Sequence, residues 1–290
     1  MFKGSIVAIV TPFKDGKVDE DAYRELIDFQ IENGTNAIVP CGTTGESATL
    51  NMEEHSRVID IAISAVNKRV PVIAGTGGNN TNEAIELTTH AKEAGADATL
   101  QVAPYYNKPT QEGLYQHFKA ISDAVPLPQV LYNVPGRTSV NILPETVARL
   151  AELPDVVAVK EASGNIGQMA EIVRLAGDKI TLLSGDDNLT LPVLSIGGKG
   201  VVSVVANIVP ADSAALIKTW EDGNITEARN LFYKLLPLCQ AMFYETNPIP
   251  VKTSLALMGK TTDEFRLPMC NMASANLDRL KNALKTYGLI

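Results

Sequence analysis

The regular alternation of two kinds of segment constrains the fold of this chain more than any other feature. Short runs rich in β-branched residues recur eight times, at 5–10, 37–39, 70–74, 98–103, 129–132, 156–160, 180–184 and 200–204. Helical patterns follow them, at 20–32, 53–66, 82–94, 112–124, 145–152, 166–176, 189–196 and 211–220. Strict alternation predicts a parallel sheet, because parallel strands need a crossover connection that is usually a helix.

The strand-like runs are apolar throughout rather than alternating with polar residues, which indicates that both faces of the sheet are covered. Eight such units close most readily into a (β/α)8 TIM barrel, an α/β fold of about 250 residues. A doubly wound open sheet is the alternative. We predict the barrel over residues 1–223 and a C-terminal helical bundle over 224–290, where the helical pattern continues without strands and is interrupted by Pro248 and Pro250.

Composition excludes several classes of partner. The 33 acidic residues outnumber the 25 basic ones, so the surface should repel nucleic acid and anionic membranes. No run reaches the roughly 18 apolar residues of a membrane span, and the first apolar run is too short for a signal peptide. The three cysteines are far apart and the three histidines lie on different helices, which fits neither a disulfide framework nor a metal site. A reducing cytoplasm is the simplest setting.

Lys160 ends the apolar run 156–160, and function in a barrel lies at the carboxyl ends of the strands. At the usual pKa of about 10.4 only roughly one lysine in 2,500 is a free amine at pH 7, so a nucleophilic lysine must be desolvated. The end of a buried strand provides that environment, as a Schiff-base lysine requires. The alternative is an ordinary lysine paired with Glu161 or with solvent.

Polar residues follow the other predicted strands as well. The second is followed by GTTGES at 42–47, whose backbone amides suit a small carboxylate, and the fifth ends in YNVPGRT at 132–138, where Arg137 offers a bidentate seat for another. Tyr105 and Tyr106 follow the fourth strand; their hydroxyls could pass protons around an imine, although packing aromatics are an alternative. Paired carboxylates of a glycosidase, from Glu46, Glu161 and Asp186, are another alternative.

The segments GTTGE at 42–46, YNVPGRT at 132–138 and VKEASG at 159–164 closely resemble the 4-hydroxy-tetrahydrodipicolinate synthase family, also called dihydrodipicolinate synthases. The resemblance spans nearly the whole chain. The superfamily, which is similar to N-acetylneuraminate lyase, shares the barrel and the Schiff-base lysine, and Arg137 points to the synthase branch. The resemblance implies condensation of pyruvate with L-aspartate 4-semialdehyde in the diaminopimelate route to lysine, without metal or organic cofactor, in a homotetramer. The alternatives are a pyruvate-dependent aldolase acting on a sugar acid and a non-catalytic barrel that senses a metabolite.

The resemblance also implies roles for individual residues. Lys160 forms the imine, and Thr43, Tyr106 and Tyr132 form a proton relay, with Tyr106 reaching in from a neighbouring subunit. The remaining assignments are pyruvate carboxylate binding by Thr44 and the Thr43 backbone, semialdehyde carboxylate binding by Arg137, and a site floor around Gly185 and Val202.

A second site, between subunits, is implied for L-lysine as a feedback inhibitor. The residues that match it are Ser47, Ala48, His55, Asn79, Glu83 and Tyr105. Met52 departs from the family pattern, because the regulated bacterial enzymes often carry a second histidine there. We therefore expect reduced sensitivity to lysine.

Overall fold

Eight parallel strands form the centre of the molecule, in a computed structural model that describes residues 2–290. They are β1 Gly4–Ala8, β2 Ala37–Val39, β3 Ile73–Gly75, β4 Ala98–Val102, β5 Gln129–Asn133, β6 Val156–Glu161, β7 Thr181–Ser184 and β8 Gly200–Ser203. Their spatial order is β2-β1-β8-β7-β6-β5-β4-β3. A bridge between Ile38 in β2 and Val72, just before β3, joins the two ends of this order. The predicted (β/α)8 barrel is confirmed, and the open-sheet alternative is wrong.

The helices surround the barrel and extend beyond it. They are α1 Glu20–Glu32, α2 Met52–Val66, α3 Thr81–Ala94, α4 Gln111–Ala124, α5 Pro135–Thr138, α6 Pro144–Leu150, α7 Ile166–Ala176, α8 Thr190–Ser195, α9 Pro210–Glu221, α10 Ile225–Ala241, α11 Ile249–Leu257 and α12 Ser274–Tyr287. Side-chain caps start several of them. Asn51 and Glu54 form a reciprocal capping box at α2, and Thr110 caps α4 through the Gly113 amide.

The predicted bounds of the third strand, 70–74, were wrong. The strand begins at Ile73 rather than at residue 70, because Pro71 has no N–H and contributes only its carbonyl, which accepts from the Ile38 amide. The first strand ends at Ala8 rather than residue 10, since the Val10 amide donates to the side chain of Asn207 instead of to a strand. A two-residue hairpin of Phe13–Lys14 with Lys17–Val18 was not predicted at all.

The three C-terminal helices share a core with the barrel helices. One buried cluster includes Ile59 and Ile61 of α2 together with Leu238 of α10, Leu255 of α11 and Leu284 of α12. The division at residue 223 stays a prediction, although a core common to both parts favours one cooperative unit. Over residues 2–290, none of the helices combines the length and apolar character that crossing a membrane requires.

Candidate active site

Lys160 and Tyr132 are neighbours at the carboxyl ends of β6 and β5. They are register partners, and the Lys160 Nζ lies 4.0 Å from the centroid of the Tyr132 ring. Side chains alternate along a strand, so Lys160 lies on the same side as Ala158, which belongs to the small apolar cluster inside the barrel. Each of the two side chains is only 6% exposed. Lys160 is therefore buried inside the barrel mouth.

Glu161 lies on the opposite side of β6 from Lys160. Its carboxylate accepts hydrogen bonds from the Asn133 side chain at 2.8 Å, the Gln168 side chain at 3.1 Å and the Ser163 amide at 2.7 Å. It does not form an ion pair with Lys160, although Glu161 was one of the two partners, Glu161 or solvent, in the ordinary interpretation of that lysine. It also faces away from the barrel interior, which argues against the paired carboxylates of a glycosidase.

The segment 42–47 after β2, here called the carboxylate loop, is firmly held. Thr44 is buried, and its hydroxyl accepts a hydrogen bond from the Asn247 side chain at 3.0 Å. The Thr11 hydroxyl donates to the Gly45 carbonyl at 2.7 Å. Thr43 is half-buried at the edge of a cavity. The loop thus holds two threonines at the end of β2, and their roles at the barrel mouth stay a prediction.

Arg137 lies on the short helix α5, and one of its guanidinium nitrogens donates to the Asn247 carbonyl at 3.1 Å. The residue is otherwise exposed, so its remaining donors are free to meet an anion. Asn247 therefore contacts both Thr44 and Arg137, the two residues predicted to bind carboxylates. It was missed from the sequence because it lies in the loop between α10 and α11, far from any barrel strand in the chain.

Gly185 and Val202 lie at the ends of β7 and β8. The Gly185 amide donates to the Glu161 carbonyl at 2.7 Å, and a Cβ on Gly185 would lie 2.6 Å from the Ala162 Cβ, so only glycine fits. Val202 is buried in the cluster inside the barrel. Both positions are consistent with the predicted floor.

Two neighbouring carboxylates, Asp186 and Asp187, follow β7. Burial raises the pKa of Asp186 to about 6, and the charge of Lys160 opposes this rise. Asp187 is buried and accepts from the amides of Val204 and Val205 at 2.9 Å each, and burial raises its pKa as well. These bonds fix the chain just after β8.

Tyr106 is not brought to the site within a single chain. Its side chain is 89% exposed, and its φ of 70° is left-handed, which is uncommon for a tyrosine. The adjacent Tyr105 is 42% exposed, and its carbonyl accepts from the Asn79 side chain. No hydrogen bond between residues 2 and 290 joins the hydroxyls of Thr43, Tyr106 and Tyr132, so the relay stays a prediction.

A cavity of about 490 Å³ adjoins the carboxylate loop. Five of the six residues predicted to bind lysine line it, namely Ser47, Ala48, His55, Glu83 and Tyr105. Asn79 is outside the lining, but it contacts Tyr105, and Met52 lies in the lining. Burial lowers the pKa of His55 to about 4, so the imidazole is neutral at pH 7, and its buried Nδ1 has no hydrogen-bond partner in the described chain.

The family model of the dihydrodipicolinate synthetase family matches residues 1–287. This chain belongs to that family. The 4-hydroxy-tetrahydrodipicolinate synthase of Geotalea uraniireducens (strain Rf4) is 63% identical over 290 residues, with both chains covered completely. The resemblance inferred from three short motifs is thereby confirmed over the whole length.

Solved structures of the family superpose closely on this member. The dihydrodipicolinate synthase of Acinetobacter baumannii complexed with pyruvate is 48% identical, with a TM-score of 0.98 and both chains covered completely. The enzyme of Cyanidioschyzon merolae with lysine bound is 45% identical, with a TM-score of 0.97, covering 100% of this chain and 99% of that one.

Proposed function

We propose that this chain condenses pyruvate with L-aspartate 4-semialdehyde, in the diaminopimelate route to lysine, through an imine at Lys160. The observation that carries the proposal is the burial of the Lys160 amine inside the barrel mouth, against the ring of Tyr132. Family membership and relatives above 60% identity support the two substrates over a sugar acid. A metabolite sensor would not require a buried amine at this position.

The reaction follows from the chemistry of the amine. The neutral Lys160 amine attacks the ketone carbon of pyruvate, and loss of water leaves an imine. Removal of a proton from the pyruvate methyl group converts the imine to an enamine, whose carbon adds to the aldehyde carbon of the semialdehyde. The amino group of the bound semialdehyde then attacks the imine carbon, which closes the ring and releases Lys160 as the free amine.

The surrounding residues divide the remaining tasks. Thr44 and the Thr43 backbone hold the pyruvate carboxylate, and Arg137 holds the carboxylate of the semialdehyde. Tyr132 is the nearest proton donor and acceptor to the imine, because its ring already contacts the amine. Backbone around Gly185 and Val202 forms the floor. These tasks are all assigned to side chains and backbone groups of the protein itself.

Tyr106 completes the relay from a neighbouring subunit of a homotetramer. The support is its geometry in the single chain: a tyrosine that is 89% exposed in a left-handed conformation projects into solvent unless another chain covers it. The cytoplasmic setting predicted from the sequence suits a metabolic enzyme that acts on small molecules.

L-lysine binds the cavity beside the carboxylate loop and inhibits partially. Glu83 suits the α-ammonium, and the neutral His55 can accept from the side-chain ammonium. The cavity also reaches Thr43, which gives lysine a direct route to the catalytic residues. Met52, 40% exposed in the lining, offers a thioether where a second imidazole would add a polar contact, so inhibition is weak.

Reduction with borohydride in the presence of pyruvate tests the central proposal. One reduced pyruvyl group should be found at Lys160 by mass spectrometry, and Lys160→Ala should bind none. Lys252 is an internal control, because it is completely buried but lies outside the barrel mouth. An adduct on Lys252, or none on the unmodified chain, would rule out the mechanism.

Calorimetry with L-lysine tests the second site. Glu83→Ala should abolish binding at millimolar lysine, whereas Glu86→Ala, an exposed carboxylate on the same helix but outside the cavity lining, should not. Equal binding by the two variants would place lysine elsewhere.

A further inference from the structure

A buried ion pair links the carboxylate loop to α11. The Lys252 Nζ lies 2.5 Å from a Glu46 carboxylate oxygen, and both side chains are withdrawn from solvent, with 0% and 2% exposed. The rings of Phe13 and Phe265 cover the ammonium, with centroids at 4.0 and 5.2 Å. Burial lowers the pKa of Lys252, and Glu46 opposes that shift. Burying two ions has a large desolvation cost, so two apolar side chains of similar volume at these positions would stabilise the fold at least as well.

The backbone of Glu46 shows what the pair holds in place. Its φ is 53°, a left-handed conformation that disfavours residues with a Cβ, and it directly follows the Thr43-Thr44-Gly45 segment. The second carboxylate oxygen of Glu46 also accepts from the Arg266 amide at 3.4 Å. The Glu46 amide donates to the Thr43 carbonyl at 3.1 Å, and the side-chain anchors add to this local hydrogen bond of the turn.

Side chains from outside the loop hold it at three successive residues. Asn247 donates to Thr44, Thr11 donates to the carbonyl of Gly45, and Lys252 pairs with Glu46. Two of the three come from the segment around the start of α11. This segment contributes no barrel strand, yet it defines the shape of the loop that faces the barrel mouth.

We infer that the Lys252–Glu46 pair is a positioning device for the pyruvate carboxylate subsite, which makes α11 part of the substrate-binding apparatus. The inference rests on the proposed function. Backbone amides bind a small carboxylate well only when they converge on it closely, and supporting side chains preserve that convergence. Loosening the pair should therefore weaken pyruvate capture, while Arg137 and the semialdehyde carboxylate are affected much less.

The experiment measures borohydride trapping at increasing pyruvate concentration, which reports pyruvate capture without the second substrate. The main variant is the double substitution Glu46→Gln with Lys252→Met, which leaves no unpaired buried charge. Glu46→Asp is the second variant, because it keeps the charge but shortens the reach by one methylene. Lys234→Met is the control for loss of an ion pair elsewhere: it removes a partly exposed pair with Asp212 between α10 and α9, away from the loop. Thermal unfolding establishes that each variant is folded.

We expect the pyruvate concentration for half-maximal trapping to rise about tenfold or more in both Glu46 variants. Their KM for the semialdehyde should change less than twofold, and Lys234→Met should trap like the unmodified chain. Unchanged half-maximal trapping in a folded Glu46 variant would overturn the inference. Loss of the folded state in both variants would also overturn it, because the pair would then serve folding alone. Failure of the unmodified chain to be trapped would instead refute the proposed function.

Discussion

Two loops supply the proposed proton-relay residues that lie outside the strands. They differ in how far each loop is buried and anchored by contacts within a single chain. The carboxylate loop, 42–47, is anchored by Thr11, Asn247 and Lys252, and its Thr44 and Glu46 are buried. The segment 105–108 after β4, here called the tyrosine loop, is exposed and is held mainly by two hydrogen bonds with Asn79. These exposed aromatic side chains underlie the proposal that a second chain completes the tyrosine loop, whereas the carboxylate loop is anchored within one chain.

The largest expected effect is on turnover, when substitutions in the two loops are placed on different subunits and the subunits are mixed. Lys160→Ala should abolish turnover, and Thr43→Val or Tyr106→Phe should each reduce it by about 10²- to 10⁴-fold. Mixed oligomers of Lys160→Ala and Tyr106→Phe chains should recover up to about a quarter of normal turnover, since one site in each mixed pair is complete.

Mixing Lys160→Ala with Thr43→Val provides the matched control. Both residues belong to the same chain's site, so no site in the mixture is complete and activity should stay at background. Recovery in this second mixture, or none in the first, would reverse the assignment of the two loops.

The next effect concerns Arg137, which donates a hydrogen bond to Asn247, the residue that also anchors the carboxylate loop. Arg137→Ala should raise the KM for the semialdehyde about 10- to 100-fold, because an exposed charge pair contributes less than a desolvated one. Pyruvate trapping should be unaffected. If trapping is lost while semialdehyde kinetics stay normal, Arg137 belongs to the pyruvate subsite.

The smallest expected effect is on the pH dependence of the unfolding free energy. It compares one buried histidine on each of the two helices that follow the loops. His55 on α2 and His117 on α4 are buried, and burial lowers the pKa of each to about 4. In the unfolded chain each histidine binds a proton with a pKa near 6.5, whereas in the folded chain it does so only near pH 4. The stability that each neutral histidine gives the fold above pH 6.5 is therefore lost as pH falls from 6.5 toward 4, because the unfolded chain binds protons first. Asp186, with a pKa raised to about 6, acts in the opposite sense below pH 6.

Urea denaturation at pH 7 and pH 5 measures this difference. Between these two pH values, His117→Gln should lose about 2 kcal/mol less unfolding free energy than the unmodified chain, and His55→Gln should behave similarly. An unchanged pH dependence in either variant would show that its histidine titrates in the folded chain as it does in the unfolded one.

The barrel and its chemistry were accessible from sequence because both depend on short-range patterns. Apolar runs alternating with helical patterns specify strands and crossovers, and helices α1 and α7 have the bounds that the pattern predicted. Lys160 and Tyr132 could be placed because the end of a parallel strand marks the active face of a barrel. The boundary errors arose where a single residue changed the pairing, as Pro71 did before β3.

Tertiary structure alone decided what surrounds these residues. The contacts of Asn247 with Thr44 and of Lys252 with Glu46 span more than 200 positions in the chain, and no local periodicity encodes them. Lys252 is the single charged residue of α11 and was a signal for a buried charge. Its partner could be found only when the barrel had closed and brought the C-terminal helices against the carboxylate loop. The local pattern thus determined which residues could carry the chemistry, while long-range packing determined the geometry in which they are held, since contacts between distant segments exist only in the folded chain.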